Sequence, residues 1–285
     1  MTSHFNFLLL TSNSMTQRFS LTLVSAFTIL AAVFATMIGW APIASAQSYV
    51  KPADLKSGDL IRGQSFSSVY YFGKDEMRYV FPNDKTYFTW YSNFNNVKWL
   101  TDVDLATVQI GGNVTYKPGV KMIKINSDPK VYAVGSGGTL HYVSTEAIAI
   151  ALYGNTWNKM IDDMPDGFFS NYKISSVIEN AGSFSVTAEK AEATDIDTDK
   201  GLQAPVVITM TDNTYTPSSV SVTAGRAVKF INNGATKHSA SSEDGSWGTG
   251  TVQPGGKFIK YFKKAGSFPF HCSDHSSMTG TITVQ

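Results

Sequence analysis

Two hydrophobic patterns follow one another along the chain after its first 46 residues. Between about 48 and 183, short apolar runs, turn residues and amphipathic stretches succeed each other, whereas from Pro205 onward apolar and polar positions alternate. Alternation with a period of two predicts strands that bury one face. The alternating runs cover residues 206–210, 219–222, 227–231, 258–262, 267–272 and 279–284. Six or seven short strands separated by Gly-, Asn- and Pro-containing turns predict a β-sandwich over 205–285.

The region before the sandwich contains an internal repeat. Two predicted β-hairpins, 69–81 and 131–143, share the order apolar run, Gly-containing turn, apolar run. Each is followed, at an offset of 62 to 63 residues, by a predicted short helix and then by an apolar strand or turn near Val97 or Met160. Duplicated units pack on one another to share a core. We therefore expect a duplicated hairpin-plus-helix (α+β) domain over 47–183 in a mainly β protein, and its role is unknown.

A segment of different composition joins the two regions. Residues 185–204 carry five acidic and two basic side chains, a local net charge of −3, and no aromatic residue. Charged, polar segments remain extended and solvated. The composition predicts an acidic linker over 184–204.

The N-terminus is typical of an export signal. An apolar run over 21–40 follows Arg18, and the small-residue triplet Ala44-Ser45-Ala46 predicts cleavage before Gln47. The stretch before Arg18 is long and uncharged for a signal, so translation could start at Met15. The alternative is an uncleaved membrane anchor, since the run approaches the ~20 residues that span a bilayer. Both interpretations place the rest of the protein in the periplasm, outside the cell or at its surface.

The overall composition excludes few functions. A formal net charge of +1 argues against a strongly basic nucleic-acid binder, and 42% hydrophobic residues allow a packed core. The only cysteine, Cys272, rules out an intramolecular disulfide, so this thiol needs another explanation.

The repeat domain offers three groups of candidate residues. His141 has no metal-ligand partner at suitable spacing, and we expect a structural or surface histidine. Asp162 and Asp163 are adjacent, which points them apart and favours a solvated turn over an acid and base pair. A cluster of aromatic residues predicts either core packing or a platform for a glycan or another surface partner. Its members are Tyr87, Phe88, Trp90, Tyr91, Phe94 and Trp99.

The strongest chemical signal is the segment from Cys272 to Met278. A histidine, His275, stands three residues after the only cysteine, and a methionine stands six residues after it. Two imidazoles, a thiolate and a weak axial thioether form a blue-copper site, because sulfur suits Cu(I) and nitrogen suits Cu(II).

The fourth ligand must come from elsewhere in the chain. His238 is the best candidate, because it follows the 227–231 strand and the Asn232-Asn233-Gly234 turn. His4 lies in the leader, and His271 adjoins Cys272 on a strand, so its side chain should face the other way. The predicted metal ligands are His238, Cys272, His275 and Met278.

At this point the sequence resembles the cupredoxin family, with a ligand loop like those of its amicyanin- and plastocyanin-like members. The matching phrases are Phe230-Ile231-Asn232-Asn233, Lys237-His238, the stretch from Ala265 to Cys272 and that from Met278 to Ile282. The resemblance covers residues 205–285 and implies a Greek-key sandwich of about eight strands. It also implies one type 1 copper per chain and a one-electron Cu(II)/Cu(I) carrier.

The sequence departs from the family's pattern at two positions. Ser239 stands where many members have Asn, so the two ligand loops are tied more loosely or through a hydroxyl. Pro269 cannot donate a ladder hydrogen bond, which predicts a kink in the strand before Cys272.

These features predict an electron carrier that is not an enzyme. Copper oxidases and nitrite reductases need a second copper centre with further histidines, commonly His-x-His pairs, and the sequence has no such pair. By resemblance, a redox partner docks near His275, whose ring edge reaches the surface among apolar residues. Seven basic and four acidic residues over 205–285 weakly favour an acidic partner. The alternative is a copper-binding storage, delivery, sensing or cell-surface module.

Overall fold

A computed structural model of the chain describes residues 47–285. The predicted export signal over 1–46, with Met15 and His4, lies outside the described residues. None of the helices between 47 and 285 has the length and apolar character needed to cross a membrane.

The sequence repeat corresponds to two five-stranded sheets with the same topology, which confirms the predicted hairpins. The first copy consists of β1 (Leu60–Arg62), β2 (Tyr70–Phe72), β3 (Arg78–Val80), α1 (Asp84–Trp90), β4 (Val97–Trp99), α2 (Asp102–Ala106) and β5 (Ile110–Asn113). The second copy consists of β6 (Met122–Ile125), β7 (Asp128–Gly135), β8 (Thr139–Tyr142), α3 (Glu146–Tyr153), β9 (Ile161–Met164) and β10 (Lys173–Ile174). The strand orders are β4-β1-β2-β3-β5 and β9-β6-β7-β8-β10. In both sheets the three central strands are antiparallel and the two outer strands join in parallel.

Equivalent residues start the helix of each copy. The side chain of Asn83 accepts a hydrogen bond from the N–H of Thr86 at the start of α1, and Thr145 does the same for Ile148 at the start of α3. Such N-caps satisfy a backbone donor that has no partner within the helix. The predicted helices are therefore present in both copies.

The two adjacent acidic residues of β9 face different partners. The Asp162 carboxylate lies 3.5 Å from the Lys121 ammonium, whereas Asp163 forms an ion pair with Lys124. The hydroxyl of Tyr116 also donates to Asp162, at 3.2 Å. These carboxylates serve as ion-pair partners and do not face each other.

The acidic segment is folded, so the prediction of an extended, solvated linker is wrong. It forms α4 (Val186–Glu192) and α5 (Ile196–Lys200), and Ile196 is buried. Its carboxylates accept hydrogen bonds from backbone N–H groups in the hairpin turns of both copies. The bonds run from Lys74 to Asp197 at 2.8 Å, from Ser136 to Glu189 at 2.6 Å and from Gly137 to Asp199 at 2.9 Å.

This arrangement explains why the composition was misleading. Lys74 and Ser136 occupy equivalent places in the two turns, and each has an N–H group that needs an acceptor. The acidic side chains supply these acceptors. Their carboxylates therefore bind backbone N–H groups of the fold and do not serve to keep the segment solvated. We call residues 186–200 the acidic brace.

The C-terminal region is an eight-stranded sandwich, as predicted. Its strands are β11 (Val206–Thr211), β12 (Thr214–Thr216), β13 (Ser219–Val222), β14 (Arg226–Asn232), β15 (Ser241–Ser242), β16 (Lys257–Phe262), β17 (Gly266–Cys272) and β18 (His275–Val284). One sheet has the order β12-β11-β14-β16 and the other β13-β18-β17-β15. A single cluster of buried residues, including Phe230, Phe270 and Ile282, lies between them.

The first repeat packs on strands β14 and β16 of the sandwich. Ala227 and Ile259 belong to the same buried cluster as residues of the first sheet. The side-chain amide of Gln109 pairs with the edge of β16, accepting from the N–H of Ile259 at 3.0 Å and donating to its carbonyl at 2.7 Å. At the same contact, the buried carboxylate of Asp75 accepts hydrogen bonds from the hydroxyls of Tyr79 and Tyr261. The division into separate domains stays a prediction.

Candidate metal centre

Two of the predicted ligands are cross-strand partners in one tight hairpin. Cys272 ends β17, His275 begins β18, and the two residues pair across a turn of only two residues. The next cross-strand pair is His271 with Thr279, so an advance of one residue on β17 matches an advance of four residues on β18. The three additional residues form a bulge that ends at Met278, and a bulge redirects side chains relative to the regular alternation. The strand is therefore irregular just before Cys272, as expected, but the register at Pro269 itself is regular.

His238 reaches the same place from the loop after β14. Its N–H donates to the carbonyl of Val252 at 3.1 Å, and its own carbonyl accepts from the N–H of Val252 at 2.8 Å. The buried amide of Asn232 shapes this loop, because it donates to the carbonyls of Thr236 and Val252, each at 2.8 Å. These bonds fix the backbone on both sides of His238.

The structure brings the predicted ligands together. Sγ of Cys272 lies 3.8 Å from Nδ1 of His238 and 3.6 Å from Nδ1 of His275, and the three ligand atoms lie within 4.8 Å of one another. His238 and Cys272 are fully buried, and Met278 is buried in the same cluster as Cys272. His275 is partly exposed and gives the site its contact with the surface.

The surroundings favour the thiolate form of the cysteine. Burial raises the pKa of Cys272, but the N–H of Ser239, the two imidazoles and the N–H of Asp274 outweigh burial and lower the pKa to about 6. The side chain is therefore a thiolate at neutral pH, which is the form that binds metals.

Asp212 orients His238 from behind and was not predicted from the sequence. Its Oδ1 lies 3.4 Å from Nε2 of His238 and accepts from the N–H of Ala235 at 3.1 Å. With a metal bound, an Nε2–H that donates to this carboxylate would leave the Nδ1 lone pair for the metal. A Cβ atom on Gly234 would lie 2.7 Å from this same oxygen, so only glycine leaves room for the pair. No local motif marks Asp212, which is 26 residues away from His238 in the chain.

Ser239 joins the two ligand loops through its hydroxyl, one of the two outcomes expected. Its Oγ accepts from the N–H of Ser273 at 2.9 Å, and its own N–H points at Sγ of Cys272 at 3.4 Å. The hydroxyl of Tyr215 in turn donates to the carbonyl of Ser239. A short side chain thus ties the loops that Asn ties in many relatives.

The other described histidines lie outside the site. Nδ1 of His141 contacts Ser176, and Nδ1 of His271 lies 3.1 Å from Glu243, which confirms that His271 faces away from Cys272. The chain neighbours of His275, Asp274 and Ser276, are exposed and polar. Among them, Asp274 forms a 3.0 Å ion pair with Lys237.

Fold and site together define a cupredoxin-like segment. Residues 181–284 match the family model of the cupredoxin-like domain. The thiolate, two imidazoles and thioether of Cys272, His238, His275 and Met278 form a type 1 copper-like site, because this donor set combines soft sulfur with imidazole nitrogen.

Three solved structures are similar to part of the chain. A Cu-containing nitrite reductase from Thermus scotoductus SA-01 is 26% identical over 28% of this chain and 22% of that chain. An oxidized amicyanin mutant is 21% identical over 28% of this chain and 81% of that chain, and a purple cupredoxin from Nitrosopumilus maritimus is 20% identical over 28% of this chain and 99% of that chain. The TM-score is 0.27 in each case. The chain thus spans about a fifth of the reductase. No curated protein matches the chain.

Proposed function

We propose that this protein is an exported type 1 copper protein that transfers single electrons. The observation that carries the proposal is the set of three ligand atoms within 4.8 Å, formed by side chains that are buried except at His275. Copper bound there supplies a Cu(II)/Cu(I) couple. The residues of the chain hold the ligands in place, exclude water and present one imidazole edge to the surface.

The way in which the ligands are held favours electron transfer over storage or delivery. A delivery site releases its ion and needs ligands that can open. Here the backbone hydrogen bonds of the β17–β18 hairpin hold two ligands, and Ser239 ties the third to the same loop. Such a site retains copper in both oxidation states.

A carrier also accounts better for the chain than an enzyme. A multicopper enzyme would need a second centre, and the histidines left between residues 47 and 285, His141 and His271, contact Ser176 and Glu243 instead. Within that part of the chain, one group of His, Cys, Asp and Glu side chains is arranged to hold a metal ion.

We further propose that the redox partner docks over His275. The rim there is polar and carries the Lys237–Asp274 ion pair. Charged rims steer encounter and leave most of the affinity to other contacts, as suits a transient complex. The predicted signal over 1–46 supports a periplasmic, extracellular or surface location.

A Cu(II) titration of the purified protein tests the assignment. We expect one copper per chain and an intense visible charge-transfer band from the thiolate. Cys272→Ser should abolish the band, whereas Met278→Leu should keep it and raise the reduction potential, because Cu(II) loses its thioether donor. Met164→Leu, at a buried methionine of the second repeat, is the matched control and should change neither.

The titration also separates the alternatives. His275→Ala should slow electron exchange with a small redox mediator, while His271→Ala should not. A parent protein that binds Cu(II) without the band, or that loses copper on each reduction, would exclude the carrier function and favour storage or delivery.

A further inference from the structure

Three phenylalanine rings of the first repeat are exposed, and two of them, Phe88 and Phe94, form a small apolar cluster at the surface. The exposed fractions are 74% for Phe66, 50% for Phe88 and 47% for Phe94. Contiguous exposed aromatic residues mark binding surfaces more often than isolated ones do. Phe88 and Phe94 are in contact, with ring centroids 5.3 Å apart.

We call the surface formed by the rings of Phe88 and Phe94 the notch. Phe94 stacks on the buried ring of Tyr87 at 4.3 Å with an interplanar angle of 22°, so its open face is the opposite one. Phe88 stands at 68° to Phe94 and at 90° to Tyr87. The centroid of Phe88 lies 5.4 Å from Tyr87 and 5.3 Å from Phe94, so its ring stands beside the stacked pair and leaves the outer face of Phe94 open.

Polar groups without protein partners line two clefts of the first repeat, and the smaller of these includes Phe94. A cleft of about 540 Å³ is lined by Asn95 and Asn96, and another of about 270 Å³ is lined by Phe94 with Ser67 and Ser68. Among the described residues, the side chains of these two asparagines and two serines make no hydrogen bond. They are therefore available as uncharged donors and acceptors.

The two clefts carry no excess of positive charge, since the smaller one is lined by the carboxylate of Asp84. In the larger cleft, the carboxylate of Asp59 is neutralised by Lys98 at 2.7 Å. A surface of this kind has no excess charge with which to attract a polyanion. It matches a ligand with apolar faces and many hydroxyl groups.

The second repeat shows that the fold does not require this surface. At an offset of 62 residues, Asp128 occupies the place of Phe66 and Ile150 the place of Phe88. Each copy forms its own five-stranded sheet with the same topology, so the exposed aromatic rings are an addition to one copy.

We propose that the notch binds an uncharged polysaccharide. A pyranose ring lies with its apolar face on the open face of Phe94, next to the exposed ring of Phe88. The hydroxyl groups of the sugar pair with Ser67, Ser68, Asn95 and Asn96, which supply orientation while the rings supply contact area. The copper protein is in this way held on a glycan by its repeat region.

Binding of the full chain to insoluble cellulose and chitin, and to soluble cellohexaose and chitohexaose by calorimetry, tests the proposal. Phe94→Leu keeps an apolar contact with Tyr87 but removes the flat face, and should weaken binding about tenfold, whereas Phe94→Tyr should retain it. Ile150→Ala in the second repeat is the matched control and should bind like the parent. Folding of each variant is checked by far-UV circular dichroism, which does not depend on copper.

Each result has a defined meaning. A folded parent that binds none of the four glycans, or a Phe94→Leu variant that binds as well as the parent, overturns the proposal. Equal weakening by Ile150→Ala also overturns it, because the effect would then not come from the notch. The copper titration is independent of this test, so the two assignments can fail separately.

Discussion

The buried carboxylate of Asp75 provides a quantitative test of the contact between the first repeat and the sandwich. It is fully buried and accepts hydrogen bonds from the hydroxyls of Tyr79 and Tyr261 and from the N–H of Met77. Burial and the nearby Asp75 raise the pKa of Tyr261, so its hydroxyl remains a donor throughout the accessible pH range. Tyr261→Phe removes this donor and keeps the ring.

The expected cost follows from the burial of the acceptor. A hydrogen bond to a charged group contributes about 1.5–3 kcal/mol, and a buried carboxylate that loses one cannot replace it with water. We therefore expect Tyr261→Phe to lower the free energy of unfolding by about 2 kcal/mol in urea titrations of the apoprotein at neutral pH. Tyr142→Phe is the control, since its hydroxyl makes no hydrogen bond to another described residue, and it should cost less than about 0.5 kcal/mol.

A double-mutant cycle sharpens the test. The hydroxyls of Tyr79 and Tyr261 lie 3.4 Å apart and share one acceptor, so the two Tyr→Phe changes should not be additive. A cost for Tyr261→Phe no larger than that of the control would refute the argument. It would mean that the repeat and the sandwich do not make this contact in solution.

Three further predictions concern other acidic and thiol groups. Asp212→Asn should raise the reduction potential measured by voltammetry, because a carboxylate behind His238 favours Cu(II). The control Asp244→Asn, at an exposed turn, should leave the potential unchanged. An unchanged potential in Asp212→Asn would contradict the orienting role of Asp212. In the apoprotein, the pKa of Cys272 falls from 9.0 to about 6 on folding, so the thiolate contributes stability that is lost as the pH falls between these values. Urea titrations across this range should show that loss in the parent but not in Cys272→Ser. Asp197→Ala should cost about 1–3 kcal/mol, because the N–H of Lys74 loses its acceptor, whereas Glu179→Ala at an exposed acid should be neutral in thermal unfolding.

The ligand set could be predicted because its chemistry is concentrated in a short stretch. Cys272, His275 and Met278 lie within seven residues, and one other described histidine, His238, follows a strand end at the right place. The strands with clear alternation were also predictable, but β12 and β15 were not, because two or three residues are too short to show a period.

The features that could not be predicted depend on pairs of residues far apart in the chain. Asp197 accepts from Lys74, 123 residues earlier, and Asp75 meets Tyr261, 186 residues later. Among its neighbours in the sequence, Asp197 belongs to a run of charged residues that is typical of a solvated linker. Only the tertiary fold shows that a turn N–H requires this carboxylate.

The acidic brace is synthesised after the hairpin turns whose N–H groups it accepts. The turn N–H groups of Lys74, Ser136 and Gly137 precede their acceptors by 53 to 123 residues, so both hairpins emerge from the ribosome or translocon before the side chains that close them. A fragment that stops at residue 183, where the repeats end, would leave these donors without carboxylates, whereas one that extends past Gly201 would include them. The hydrogen bonds that close these turns therefore form only after synthesis has passed the brace.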